Sequence, residues 1–170
     1  DDFDTQMQLY RTHIAAENDG EAQKVLLALA QRQQSPDNLS TLILYMNLEN
    51  MNAEALKLLA RGLQQYPFNT TLRRLELRQL VKEGKLTEAI AAATRLLQQE
   101  PDSSIWQTLA DLYRQSSDLP QALHCLSEAR DLRPQDGELL ADLADLQQEM
   151  GKPTEAKATL EEALAVDPSK

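Results

Sequence analysis

Five alanines, Ala22, Ala55, Ala89, Ala122 and Ala156, each follow a Glu or Gln and open an apolar helical pattern, and the steps between them are 33, 34, 33 and 34 residues. Pro67, Pro101, Pro134 and Pro168 stand twelve residues after the last four. A chain that rewrites the same signals at such a period folds as stacked copies of one supersecondary unit, because no single copy can bury its apolar face alone. "TEAIAAATRLLQQEP" from Thr87 and "TEAKATLEEALAVDP" from Thr154 are two such copies, two periods apart.

Two helices can be read within each module. In the fourth, Trp106, Leu109, Ala110 and Tyr113 fall at i, i+3, i+4 and i+7, and in the second Leu39, Leu42, Ile43 and Met46 take the same slots. The following helix carries its alanine and an apolar residue four later, as in Ala122–Leu126 and Ala156–Leu160. Three residues further stand Gly62, Ala129 and Ala163, small side chains that let two helix backbones approach closely. Proline cannot continue a helix and marks the end of each second helix. Two residues beyond Pro36, Pro67, Pro101 and Pro134 come Asn38, Asn69, Ser103 and Asp136, all side chains suited to cap a new helix. Asn50, Gly84 and Gly151 sit where a first helix turns into a second, and both residue types tolerate the left-handed backbone found there. The pattern predicts one domain over 1–170, built from five helical hairpins at about 3–35, 36–69, 70–102, 103–136 and 137–170.

Composition agrees and narrows the function classes. Hydrophobic residues make up 42%, charged residues 26% and aromatics 4%, a mix suited to a soluble helical protein. A net charge of −10 would repel phosphate, so no nucleic-acid partner is expected. No apolar run approaches the ~20 residues of a membrane span, so no direct membrane insertion is expected. The opening "DDFDTQMQLY" lacks the basic and apolar regions of a signal peptide. One cysteine, Cys125, excludes an internal disulfide framework and leaves the compartment open, bacterial cytoplasm and periplasm alike. His13 and His124 lie 111 residues apart without a metal-ligand spacing, and His124 and Cys125, adjacent on a helix, point about 100° apart. No phosphate-binding, dinucleotide or nucleophile-elbow motif occurs. No catalytic residue, metal or cofactor is therefore expected. Asn38-Leu-Ser40 and Asn69-Thr-Thr71 have the form of glycosylation sequons, but a capping role already accounts for both asparagines.

The residues quoted resemble the tetratricopeptide repeat (TPR) family over essentially the whole chain. The family pattern of Trp, Leu, Gly/Ala, Tyr, Ala, an apolar residue, Ala and Pro is matched by Trp106, Leu109, Ala110, Tyr113, Ala122, Leu126, Ala129 and Pro134. Module five matches with Leu140, Leu143, Ala144, Gly151, Ala156, Leu160, Ala163 and Pro168. Module three departs with Arg73 and Glu76 in apolar slots, and module one with Gln6, His13 and Gln34. The resemblance implies an all-α, right-handed TPR-type solenoid whose first helices line a concave face that binds proteins or peptides.

With that geometry implied, residues one, two and five positions after each Trp106-type slot, and those continuing the stripe, face the groove. Module three supplies Arg74, Arg78 and Lys82, a basic ridge at i, i+4 and i+8. Module four supplies Gln107, Asp111 and Arg114, and module five supplies Asp142, Asp145 and Glu149. Module two supplies Leu44 and Leu48 beside Ser40 and Asn47, and module one supplies Met7, Arg11 and Ile14. Residues 36–101 carry eight basic and seven acidic side chains, whereas 103–170 carry six and thirteen. The groove is expected to run from apolar through basic to acidic. An acidic segment of a partner would meet Arg74, Arg78 and Lys82, and a basic segment would meet Asp142, Asp145 and Glu149. Met7, Arg11, Ser40 and Leu44 do not reproduce the Lys and Asn set with which chaperone-tail-binding relatives clamp a carboxylate, so that specificity is not carried over.

The expected function is a non-catalytic scaffold that supports assembly of a multiprotein complex, for instance a bacterial envelope, secretion or polymer-export system. The alternative is a regulatory or substrate-recruiting region of a longer enzyme. No polar capping helix follows Pro168, which points to a piece of a larger array or to end-to-end self-association.

Overall fold

The computed structural model describes residues 2–166, and these form ten α-helices and no strand. They are α1 (Phe3–Ala15), α2 (Asp19–Ala30), α3 (Pro36–Leu48), α4 (Asn52–Gln65), α5 (Thr70–Lys82), α6 (Leu86–Gln99), α7 (Ser103–Gln115), α8 (Leu119–Leu132), α9 (Gly137–Glu149) and α10 (Pro153–Val166). First and second helices alternate, 13 and 14 residues long in every module but the first, whose second helix has 12.

One backbone device closes every hairpin. The residue after each first helix's C-cap has positive φ: Glu17 (53°), Asn50 (60°), Gly84 (69°), Ser117 (62°) and Gly151 (74°). The next amide reaches back to a carbonyl of the last turn, in Asn18 N→His13 O (2.9 Å), Met51 N→Met46 O (2.8 Å), Lys85 N→Leu80 O (3.0 Å), Asp118 N→Tyr113 O (2.8 Å) and Lys152 N→Gln147 O (2.8 Å). This is the Schellman closure, written five times. Asn50, Gly84 and Gly151 do what their residue types predict, while Glu17 and Ser117 hold the same conformation without that advantage.

The caps differ in part from the sequence reading. Asn69 accepts the Leu72 amide at 3.0 Å, and Asp136 accepts those of Glu138 and Leu139, each at 3.1 Å. For α3 the cap is Ser35 rather than Asn38, because Pro36 opens the helix instead of ending the previous one. For α7 it is Asp102, which takes the amides of Ser104 and Ile105. Ser103 turns inward and donates to the Ala129 carbonyl at 3.1 Å. Module one has Gln34 where later modules have proline, and its buried side-chain amide donates to the Leu29 carbonyl at 2.9 Å. Its own carbonyl accepts Tyr66 Oη at 3.1 Å, and Arg61 reaches the Ala30 carbonyl.

The helices gather into two compact units, Asp1–Glu76 and Leu77–Lys170, where the sequence reads as a single domain. In the first, α1 packs on α2, α2 on α3 and α3 on α4, around Tyr10, Leu26, Leu29, Leu42 and Met46. A Cβ placed on Gly62 would lie 3.2 Å from Leu39 Cδ1 and 3.3 Å from Leu72 Cδ1, so the missing side chain is what admits these neighbours. In the second, α6 through α10 pack each on the next, around Ala89, Ala93, Leu109, Leu126, Ala129 and Leu143. Arg73 and Glu76, in slots that hold Trp106 and Leu109 in module four, form a half-buried ion pair at 2.7 Å just before the division.

Candidate functional site

The second unit brings together five of the residues singled out from the sequence. Asp111 and Arg114 lie on α7, and Asp142, Asp145 and Glu149 on α9, all exposed. Arg114 Nη2 bonds Glu149 Oε2 at 3.0 Å, joining the two first helices across one repeat. The Asp142 carboxyl is pushed above the ordinary aspartate value, first by loss of water around it and then by the nearby charges of Asp111, Asp145 and Glu138. Asp111 is raised by the same loss of water, and Arg114 opposes both shifts. One guanidinium, already engaged by Glu149, thus also faces the carboxylates of Asp111 and Asp142, with Asp145 close to Asp142. The surplus negative charge faces solvent, where a cationic group can relieve it.

Repeat arithmetic explains the gathering. Asp111 and Asp145 are 34 residues apart, one period, and Arg114 and Glu149 are 35 apart. Residues one period apart stand side by side on successive first helices, a rule the sequence reading used for helix phase but not for charge pairs. Glu138, one turn before Asp142 on the same helix, was not singled out from the sequence.

Other expected groove residues fare differently. Gln107 is half-buried and accepts a hydrogen bond from Arg133 Nη2, which removes it from a free surface. Met7 is buried in the first unit's core, a correction to its expected place in the groove, since α1 turns that side chain onto its neighbours. Ser40 Oγ donates to the Asp37 carbonyl at 2.8 Å. Leu44 and Leu48 on α3 are exposed, Leu48 to 73%. Arg74 belongs to the first unit and is half-buried, whereas Arg78 and Lys82 belong to the second and are exposed.

The sparse chemistry of the chain is accounted for by structure. Cys125 is buried and its thiol is pushed up to about 11, by burial first and then by Glu128. His124 faces solvent, edge-on to Trp106 with ring centroids 6.0 Å apart and 3.9 Å from a Glu128 oxygen. A covered, protonated thiol beside an outward imidazole is not a nucleophile–base pair. Among the described residues no group of three His, Cys, Asp or Glu side chains is placed to hold a metal ion, and no helix is long and apolar enough to cross a membrane. Both sequon asparagines are engaged, Asn38 with Gln34 at 3.2 Å and Asn69 as the α5 cap.

The family model described as tetratricopeptide repeat matches residues 113–170. Among solved structures, MamA from Desulfovibrio magneticus RS-1, beginning at its residue 41, superposes with a TM-score of 0.79 at 14% identity, covering 99% of this chain and 96% of that one. MamA AMB-1 superposes with a TM-score of 0.75 at 18% identity, covering 99% and 93%. No curated protein matches the chain in sequence. At these identities the likeness is one of fold.

Proposed function

We propose that this chain, a tetratricopeptide repeat protein by its sequence match and its fold, is a non-catalytic interaction scaffold that binds a partner protein or peptide on the face of its first helices. The observation that carries this reading is the exposed α7–α9 surface, where Asp111, Asp142 and Asp145 surround the Arg114–Glu149 pair. Charge of one sign held on rigid helices selects a partner of the opposite sign and speeds its arrival. The preferred segment here is basic, an extended or helical stretch with Lys or Arg spaced to reach successive helices. Arg78 and Lys82 on α5 are the corresponding contacts for acidic residues of a partner, with Arg74 preceding them on that helix, and Leu44 and Leu48 on α3 offer apolar contact. A role in assembling a multiprotein complex follows from this use of the surface.

The test is titration of the chain against two fluorescent peptides of equal length, one rich in Lys and Arg, one rich in Glu. The basic peptide is expected to bind, more weakly as salt is raised, and the triple variant Asp111→Asn, Asp142→Asn, Asp145→Asn is expected to lose most of that affinity with helicity unchanged. Equal binding by the variant would refute the acidic face as a contact.

A further inference from the structure

In the first unit α2 and α4 both pack on α3, and between them opens a cavity of about 180 Å3. Its inner wall is apolar, made by Ala30, Met46 and Leu58, and Leu27 stands at its edge, 38% exposed. The repeat shows what belongs in such a place. Eight residues after the repeat alanine, modules two and three carry Leu63 and Leu97, each packed against the core of its unit. Modules four and five carry the longer side chains of Arg130 and Leu164 there, and module one alone has a small residue, Ala30. The Met46 slot of α3 is Tyr113 in α7, which, like Leu97, packs against the second unit's core. The first unit thus lacks the bulk of a leucine at a position the second unit fills. Apolar space of this kind leaves its lining short of contacts.

Two bonds fix the walls. Arg61 Nη2 donates to the Ala30 carbonyl and Tyr66 Oη to the Gln34 carbonyl at 3.1 Å, tying the end of α2 and the turn after it to α4. The opening is basic. Lys57 and Arg61 stand there against one carboxylate, Glu54, and Lys57 is exposed and forms no ion pair among the described residues. That sign is opposite to that of the α7–α9 face, so the two surfaces select different segments. The geometry points to a docking site on α2 and α4 for a partner peptide that inserts one leucine side chain into the counterpart of the slot Leu97 fills, with Asp or Glu next to that leucine meeting Lys57.

The probe is a nine-residue synthetic peptide with one central leucine flanked by glutamates, added up to millimolar concentration to the full chain and followed by methionine and leucine methyl resonances. Insertion of a single side chain yields little net affinity, so the expected binding is weak but saturable. Shifts are expected at Met46, Leu27 and Leu58, and none with serine in place of the peptide's leucine. Flanking lysines in place of the glutamates are expected to weaken binding at least threefold. Ala30→Leu supplies the side chain that modules two and three already carry, and is expected to weaken binding at least tenfold with Tm unchanged or raised. Lys57→Glu, at an exposed position, serves if Ala30→Leu disturbs folding, and is expected to reverse the preference between the two leucine peptides. No shift at Met46, equal binding by the leucine and serine peptides, or equal binding by a folded variant would overturn the proposal. So would a dimer in sedimentation that Ala30→Leu abolishes, since a second copy would then be the occupant. Overhauser contacts to the Leu27 methyls from residues outside the first unit, seen without peptide, would overturn it too, because the chain itself would already fill the slot.

Discussion

Gly151→Ala tests the backbone device that closes each hairpin. Gly151 holds φ 74°, and a Cβ built on it meets no atom within 4 Å, so the substitution adds no clash and changes only the backbone energy. An L-residue forced into the left-handed region is strained by about 1 kcal/mol or somewhat more. For a chain of this length a loss of about 1 kcal/mol lowers Tm by about 3 °C. Ser117, at φ 62° in the same turn of module four, already carries that strain. Ser117→Gly should relieve it, less the extra freedom glycine has when unfolded, for a net gain of about 0.5 kcal/mol. Global unfolding of a repeat array need not be two-state, so urea melts followed by circular dichroism should be paired with amide hydrogen exchange. The informative amides are Lys152, bonded to the Gln147 carbonyl, and Asp118, bonded to that of Tyr113, both at 2.8 Å. Opening at Lys152 should become easier in Gly151→Ala and opening at Asp118 harder in Ser117→Gly. If Gly151→Ala is neutral or stabilising, the account of these turns is wrong.

Two further outcomes are expected. Asp142 and Asp111 should titrate above ordinary aspartates by carboxyl NMR, and Asp145→Asn should bring the Asp142 midpoint down by removing a like charge. Because the folded values are raised, stability should fall as pH rises from the ordinary aspartate value through the folded one, and Asp142→Asn should abolish its share of that loss; an Asp142 midpoint at or below the ordinary value would refute the clustering. Asp102→Ala removes the acceptor for two α7 amides and should lower stability by about 1 kcal/mol in urea melts, whereas Ser103→Ala should not free those amides to exchange.

The phase of the repeat was legible in the sequence because alanine and proline act through sterics at positions where no neighbour can compensate. Ala22, Ala55, Ala89, Ala122 and Ala156 are each no more than 2% exposed, as the close approach of helices requires. The caps were legible only to within a residue or so: Ser, Asp and Asn crowd each turn, and Pro36 belongs to the start of α3 rather than the end of α2. Glu17 and Ser117 were not legible as left-handed residues, since their types carry no such preference and the closure around them imposes it. Five site residues do come together on α7 and α9, and the bond between two of them, Arg114 and Glu149, was not drawn from the sequence. Leu160 takes the repeat slot of the buried Leu126 yet is 37% exposed, a difference the shared pattern does not carry. The division within α5 follows two substitutions, Arg73 and Glu76, that were visible as departures and whose pairing was not.

Cys125 has a use that its chemistry alone does not suggest. It is the chain's single sulfhydryl, sealed inside the module-four hairpin and held in its unreactive form. An aromatic disulfide reagent can reach it only during excursions in which α8 lifts from its neighbours, so the rate of colour release counts those excursions directly. The unaltered protein thereby carries an internal gauge of how often its fourth repeat breathes, and partner binding that steadies this region would register as a slower colour change.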